Sequence, residues 1–194
     1  MDEVQTSQPV SENYPQAPAT AGGRGLLKYH RITDFKRGIL HTLLADAYSF
    51  DSRCGMLWDK DWRAFDDFFF GNPEIADKYG FITVLGNEPV GLVSWDPRHR
   101  PDFVEIGHNC IATRFKGNGY GKLQLLEALR RIRTYEGLRR IIVTTNANLV
   151  APKNYEAVGF RLIQRQPNHG ESAFTGDYLK YEIALNGDSN GRTC

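Results

Sequence analysis

Three glycines within five positions form the stretch of this chain that points most directly to ligand chemistry. Residues 116–122 read KGNGYGK, after an alternating extended segment and before an amphipathic one. Glycine reaches backbone angles closed to other residues, so successive amides can converge at a helix N-terminus, where the helix dipole adds partial positive charge. That arrangement suits a phosphate or pyrophosphate. The alternative is a glycine turn that only redirects the chain from strand to helix.

The spacing of these glycines matches neither of two common phosphate loops. A P-loop ending at Gly121 and Lys122 needs glycine at position 116 and Ser or Thr at position 123, where the chain has Lys116 and Leu123. A dinucleotide loop needs G-x-G-x-x-G, whereas this segment reads G-x-G-x-G. The sequence therefore predicts neither type of nucleotide site.

The same segment resembles the Q/R-x-x-G-x-G/A signature of the GNAT acetyltransferase superfamily, whose loop binds the pyrophosphate of acetyl-coenzyme A. Lys116, Gly119 and Gly121 occupy the signature positions, with lysine in place of the usual Gln or Arg. Ile111 stands where that family usually has a valine of its central strand, and Thr113 stands where a proline is common. The change at position 116 is mild, because the loop binds mainly through backbone amides.

A second block strengthens the resemblance. Residues 148–160 read NLVAPKNYEAVGF, similar to the family's N-x-x-A-x-x-x-Y-x-x-x-G-F block. The two blocks occur in the family's order with an apolar strand between them, and the resemblance covers residues 26–185. It implies one α/β domain with a mixed, mostly antiparallel sheet. In that fold a central parallel strand pair splays to admit acetyl-coenzyme A between flanking helices.

Hydrophobic patterning predicts elements in a matching order. Strands are predicted over 26–32, 81–85, 90–95, 104–111, 140–145, 160–166 and 177–185, helical stripes over 35–48 and 125–132, and short helices over 73–78 and 151–158. The strand at 140–145 should lie parallel to that at 104–111, because a helix connects them. The domain is predicted to span 25–185, between a disordered leader (1–24) and a disordered tail (186–194).

The resemblance assigns the role of general acid to Tyr155, because it places that hydroxyl near the cofactor sulfur. A phenol with an unperturbed pKa of about 10 stays neutral until it donates a proton to a leaving thiolate. The alternative is a helix tyrosine that only packs in the core.

Acetyl transfer to an amine also requires the amine to lose a proton, and Glu105 is the candidate base. It lies six residues before Ile111, so strict alternation puts both side chains on one face of the strand. Some protein-acetylating members of the resembled family have a catalytic glutamate at this spacing. His108 points to the opposite face by parity and is a weaker alternative, while His99 and Asp96 could act through water. Glu105 could instead orient substrate or make a structural hydrogen bond.

On the cofactor side, the resemblance implies that strand backbone groups hold the pantetheine arm and that loop amides hold the pyrophosphate. Lysines near the loop would add positive charge, and Asn148 would bond the pantetheine or the splayed strand. The predicted cofactor-binding residues are Ile111, Ala112, Lys116, Gly117, Asn118, Gly119, Tyr120, Gly121, Lys122, Asn148 and Lys153. No metal is required, and the five histidines show no ligand spacing.

Aromatic residues are dense over 51–71, the region that forms one wall of the substrate site in the resembled family. Core packing is the alternative explanation for them. The predicted substrate-binding residues are Trp58, Trp62, Trp95, Asp96 and His108. A compact aromatic wall favours a small-molecule amine as acceptor, with a peptide amine as the alternative. A different acyl group, or a non-catalytic sensor that binds acyl-coenzyme A without turnover, also stays open.

Composition argues against polyanionic partners. The 24 Lys and Arg residues against 23 Asp and Glu give a net charge of +1, so neither nucleic acid nor a membrane is a predicted partner. The three cysteines form no C-x-x-C pair, the N-terminus is acidic, and no apolar run approaches the length of about 20 residues that spans a membrane. A cytoplasmic monomer or homodimer is therefore expected.

Overall fold

A sheet of seven strands organises the part of the chain that this computed structural model describes, residues 26–170 and 173–185. The strands are β1 (Leu27–His30), β2 (Gly80–Leu85), β3 (Glu88–Asp96), β4 (Phe103–Ile111), β5 (Arg140–Asn146), β6 (Arg161–Gln166) and β7 (Tyr178–Ala184). The predicted leader, 1–24, and the predicted tail, 186–194, lie outside the described residues.

Five α-helices flank the sheet within the same ranges. They are α1 (Ile39–Ala47), α2 (Ser52–Gly71), α3 (Pro73–Tyr79), α4 (Tyr120–Ile132) and α5 (Ala151–Ala157), with 3-10 turns at Ile32–Asp34 and Thr113–Phe115. No helix in the described part of the chain has both the length and the hydropathy needed to span a bilayer.

The stripe predicted over 35–48 becomes regular α-helix only at Ile39, because Gly38 adopts a left-handed φ of 97°. The buried carboxylate of Asp66, in α2, accepts the amides of Gly38 and Leu40 at 2.7 and 3.0 Å. A helix leaves its first amides without internal partners, and α1 has no capping side chain of its own. Asp66 therefore supplies the N-terminal cap of α1 from a neighbouring helix.

The strand order is β1-β2-β3-β4-β5-β7-β6, and every neighbouring pair is antiparallel except β4 and β5. The parallel pairing runs from Phe103 opposite Arg140 to Ile106 opposite Val143, and it ends there. Beyond that point the C-terminal halves of the two strands are not paired with each other. The structure thus confirms the predicted mixed sheet with a splayed central parallel pair.

A β-bulge interrupts β4 at the start of the splay. Gly107 and His108 together lie opposite the single residue Ser94 of β3. The extra residue breaks the alternation of side chains along the strand. Ile106 therefore packs in the core beneath α4 and α5, whereas Cys110, four residues later, packs in the core beneath α1 and α2.

Candidate functional site

A cleft of about 1020 Å³ lies where β4 and β5 diverge. Its floor is made by 105–109 of β4 and 144–146 of β5, α5 contributes at one side, and α2 supplies aromatic rings at another. Of the residues that the sequence predicted for catalysis or substrate binding, Glu105, Tyr155, Trp58, Trp95, Asp96 and His108 line this cleft. The splay therefore brings most of the predicted set together in one place.

Tyr155 lines the cleft from α5, and only 4% of its surface is exposed. Its ring contacts those of Phe160 and Tyr181. Burial raises the pKa of the phenol above its ordinary value, while a side-chain hydrogen bond with Asn109 acts in the opposite direction. The phenol is consequently neutral at physiological pH, which is the state that a general acid must have before it donates a proton.

Glu105 and His108 lie on the same face of β4, the face covered by α1 and α2. The hydroxyl of Thr144 donates to Oε1 of Glu105 at 3.4 Å, and the His108 ring packs edge-on against Phe65 with centroids 4.4 Å apart. The predictions that Glu105 shares a face with Ile111, and that His108 points to the other face, are wrong because the bulge reverses the alternation between them. Ile111 instead lies beside the N-terminus of α4.

His108 is held neutral by its surroundings. Burial lowers the pKa of its ring, and the carboxylate of Asp61 opposes that shift. A neutral imidazole carries a free lone pair that can accept a proton. Its place in the cleft makes His108 a stronger candidate base than strand parity suggested.

The predicted substrate residue Trp62 does not line the cleft. Its ring is 3% exposed and stacks on Tyr48 at a centroid distance of 5.7 Å. It borders a smaller cavity of about 240 Å³, together with Trp58, Asp61 and His108. Core packing accounts for the position of Trp62, whereas Trp58 is placed to contact a ligand in the cleft.

Asp96, Trp95 and His99, the other residues predicted near the acceptor, form hydrogen bonds or ring contacts with neighbouring side chains. Arg98 donates to both carboxylate oxygens of Asp96, and the hydrogen bonds from Arg98 hold the pKa of that carboxyl below its ordinary value. The indole N–H of Trp95 donates to the Tyr135 hydroxyl at 3.0 Å. His99 stacks on Phe103 at 4.5 Å. A carboxylate with a lowered pKa is a weak base, so Asp96 is poorly suited to take a proton through water.

The glycine loop has the conformation that an anion cradle requires. Gly117 and Gly119 both have a φ of 80°, and α4 begins directly after them at Tyr120. Within the described ranges, the amides of residues 117–121 have no hydrogen-bond acceptor in the chain. The side chain of Asn118 donates to the carbonyls of Phe115 and Lys116, which braces the turn. These amides at the N-terminus of α4 are available to an anionic ligand.

The ammonium of Lys116 points away from this cradle. It donates to the backbone carbonyl of Ala47, at the C-terminus of α1, and lies over the ring of Phe50. The Thr113 amide and hydroxyl are bonded to Asp46 at the same helix end, both at 2.6 Å. The predicted charge of Lys116 is therefore engaged with α1, and its side chain anchors the loop. The exposed side chains of Lys122 and Lys153 form no ion pair within the described residues.

Two asparagines, Asn146 and Asn148, lie at the end of β5, on the opposite side of the splay from the glycine loop. Nδ2 of Asn148, predicted to contact the pantetheine or the strand, donates to the Thr175 hydroxyl at 3.2 Å. Asn146 is buried and donates to the carbonyl of Gly176 at 2.5 Å. A Cβ on Gly176 would lie 2.7 Å from both asparagine side chains, so a larger residue there would displace them. These contacts tie the end of β5 to the segment that precedes β7.

The sequence did not single out two polar residues near the splay, one of which, Asn109, lines the cleft. Asn109, in β4, and Gln124, in α4, are joined by a hydrogen bond of 2.8 Å. The bulge turns Asn109 towards the core face that holds Tyr155. A glycine inside a strand pattern often marks a bulge, so Gly107 was the available signal for the position of Asn109. Gln124 carries no comparable signal.

Comparisons with known proteins agree with this geometry. The model of the acetyltransferase (GNAT) family matches residues 39–160. The ribosomal L7/L12 alpha-N-protein acetyltransferase RimL, solved with coenzyme A, aligns with a TM-score of 0.64 at 15% identity, over 84% of this chain and 96% of that one. A Bacillus subtilis acetyltransferase in complex with coenzyme A gives 0.56 at 16% identity, over 82% and 97%.

An IAA acetyltransferase from Bacillus cereus gives a TM-score of 0.55 at 16% identity, over 82% of this chain and 99% of that one. At these identities, each likeness shows a shared fold and nothing finer. A search of curated proteins found no match.

Proposed function

Because this chain belongs to the GNAT acetyltransferase family, we propose that it transfers the acetyl group of acetyl-coenzyme A to a primary amine of a small molecule. The amine attacks the thioester directly while both substrates are bound. The proposal rests on one observation. Strands β4 and β5 diverge between the loop 117–121, whose backbone amides have no acceptor in the described residues, and the buried, neutral side chain of Tyr155.

The residues around the splay suit acetyl-coenzyme A, which supplies an activated acetyl group as a thioester. Residues 107–111 of β4 have no strand partner on the side of β5, so their backbone groups are available to the amides of a pantetheine arm. The amides of 117–121 suit the pyrophosphate, and the exposed Lys122 and Lys153 can add positive charge. Ile111 and Ala112 connect these two regions.

Tyr155 is the proposed general acid. When the amine attacks, the bond between the acetyl carbon and sulfur breaks and the sulfur leaves with negative charge. The neutral phenol donates its proton, or a hydrogen bond, to that sulfur. Its burial supports this role, because desolvation keeps the phenol protonated until negative charge develops beside it.

Glu105 is the proposed base, and His108 is the second candidate on the same face of the cleft. An amine with a pKa of about 10 is mostly ammonium at neutral pH, so a proton must be removed before attack. The Thr144 hydroxyl is bonded to Glu105 and can orient its carboxylate. His108 can also accept a proton in its neutral form, but burial lowers its pKa and makes it a weaker base than an exposed imidazole.

An aromatic bridge beside the cleft supports a compact acceptor. Phe174, which precedes β7, packs against Trp58 of α2 at 5.4 Å and against Phe50, between α1 and α2, at 6.1 Å. Trp58 and Phe174 both line the cleft, so this contact gives the cleft an aromatic wall. A small amine with an apolar or aromatic body matches such walls, because burying its apolar surface drives binding.

The proposal is tested by thiol release from acetyl-coenzyme A over a panel of aromatic and aliphatic amines and of short peptides. Turnover should be fastest with a small aromatic or apolar amine. Tyr155→Phe should lower kcat about a hundredfold, the usual effect of losing a general acid, and leave coenzyme A affinity unchanged. Glu105→Gln and His108→Gln should be compared over pH, since only loss of the base removes the acidic limb of kcat.

Three outcomes separate this proposal from its alternatives. Turnover restricted to peptides would replace the small-molecule acceptor with a peptide amine. Calorimetric binding of coenzyme A without turnover on any acceptor would identify a non-catalytic sensor. Full activity in Tyr155→Phe would remove Tyr155 from the chemistry.

A further inference from the structure

We infer that the apolar body of the acceptor amine ends in a second cationic group, and that Asp61 of α2 binds this group next to the cleft. The ligand class is an α,ω-diamine or an alkylamine with a terminal quaternary ammonium. This inference rests on the proposed function, because it specifies the acceptor of the proposed acetyl transfer. It starts from the smaller cavity of about 240 Å³, whose lining combines one carboxylate with the rings of Tyr48, Trp58 and Trp62.

This smaller cavity adjoins the cleft that contains the proposed reacting groups. Tyr48, Trp58 and His108 line both the cleft and the smaller cavity. Asp61 and Trp62 line the smaller cavity and are not among the residues that line the cleft. A ligand whose reacting amine lies at the splay can therefore extend past His108 and place its other end beside Asp61.

Asp61 differs from the other aspartates of α2 in having no partner within the described residues. Asp59 and Asp67 form ion pairs with arginines, and Asp66 caps α1. In the same part of the chain, Asp61 forms neither an ion pair nor a hydrogen bond. No lysine or arginine of the described ranges lines its cavity, and His108 is neutral there because burial lowers its pKa. The cavity therefore presents a negative charge that no neighbouring side chain neutralises.

The rings around this carboxylate favour a cation over a neutral or anionic group. Trp58, Asp61 and Trp62 lie on one face of α2, because they are three and four residues apart. The Trp58 ring stands at 79° to that of Tyr48 and at 61° to that of Trp62, so the rings form walls of different orientation. A ring quadrupole attracts a cation, and the same rings pack against an apolar chain. Since Asp61 itself is exposed, its charge contributes modestly.

The test compares amines of matched length by thiol release from acetyl-coenzyme A. Hexylamine ends in a methyl group, hexamethylenediamine in a cation and aminocaproic acid in an anion. After correction for its two equivalent amines, the diamine should have a kcat/KM about 3- to 10-fold higher than hexylamine, as expected for an exposed ion pair with a cation–π contact. Aminocaproic acid should be the poorest of the three. Asp61→Asn, which keeps the shape and removes the charge, should abolish most of the preference for the diamine.

Asp67→Asn is the matched control, because it removes a carboxylate from the same helix at a position that lines neither cavity. This variant should keep the preference for the diamine within about twofold, since solvent and salt screen exposed charges at a distance. Equal kcat/KM for hexylamine and the diamine in the unmodified protein, or a preference for aminocaproic acid, would overturn the inference. An equal loss of preference in both variants would also overturn it, because the overall charge of α2 would then explain the effect.

A binding readout separates the cation site from acetyl transfer. Tetramethylammonium is a cation that cannot be acetylated. In nitrogen-15-labelled protein it should shift the indole N–H signal of Trp62, which lines the smaller cavity, and not that of Trp95, which lines the cleft. Asp61→Asn should weaken this binding. If Trp62 responds in this way while no acceptor is turned over, the proposed function fails and the cation site stands. If amines are turned over and the Trp62 signal does not respond, the inference fails and the proposed function stands.

Discussion

Replacing Lys116 by methionine separates two roles for its ammonium. The family signature suggests that a cation at this position assists the loop in binding pyrophosphate. In the structure the ammonium donates to the Ala47 carbonyl and lies 5.1 Å from the centroid of the Phe50 ring. Methionine keeps most of the apolar stem and removes the charge and the donor. We therefore expect Lys116→Met to affect stability and not coenzyme A affinity.

The magnitude follows from the contacts that are lost. A hydrogen bond from a charged donor contributes about 1.5–3 kcal/mol, and a cation at a helix C-terminus contributes about 0.3–1 kcal/mol. The ammonium is only partly buried, so solvent reduces both contributions. We expect a net loss of about 1–2 kcal/mol, which for a chain of this size lowers Tm by about 2–8 °C.

The assay pairs calorimetric Tm with coenzyme A titrations at two salt concentrations, and Lys122→Met is the matched variant. Lys122 is exposed at the N-terminus of α4 and should contribute to ligand binding but not to stability. Its loss should weaken coenzyme A binding and reduce the salt dependence of that binding. The reasoning would be refuted if Lys116→Met lowered coenzyme A affinity tenfold or more and left Tm unchanged. Such a loss corresponds to about 1.4 kcal/mol of binding free energy.

Two further predictions concern buried polar groups. Asp66→Ala removes the cap that α2 provides for α1 and should lower the free energy of unfolding in urea by about 2–4 kcal/mol, whereas Asp66→Asn, which keeps an acceptor, should lose less. An unchanged midpoint in Asp66→Ala would contradict the capping role. Burial lowers the pKa of His108, so the unfolded chain binds this proton more readily than the folded one. Stability should therefore fall as pH drops below the ordinary histidine value of about 6.5. His108→Gln should flatten that decline between about pH 7.5 and about pH 5.5, and an equal slope in both proteins would contradict the shift.

Local patterning predicted the seven strands and four of the five α-helices in their order, but not α2, whose aromatic residues were interpreted as a substrate wall or core packing. Alternation located the strands, apolar stripes located the helices, and a helix between two strands required β4 and β5 to be parallel. Patterning failed at Gly38, where a left-handed glycine delays the start of α1, and at the bulge in β4. Each is a change of backbone geometry at a single residue. The periodicity of apolar residues is read over a whole helix or strand, so it does not detect such a change.

The sequence by itself determined the glycine loop and the family and predicted Tyr155 as the general acid, because each depends on residue types at fixed spacing along one stretch of chain. Only the tertiary structure decided where the other side chains point. It turned the ammonium of Lys116 to α1, placed His108 on the same face as Glu105, and joined Asn109 of β4 to Gln124 of α4. These outcomes depend on hydrogen-bond partners that are distant in sequence and on one extra residue in β4. Neither is encoded in local spacing, so they could be known only after the chain had folded.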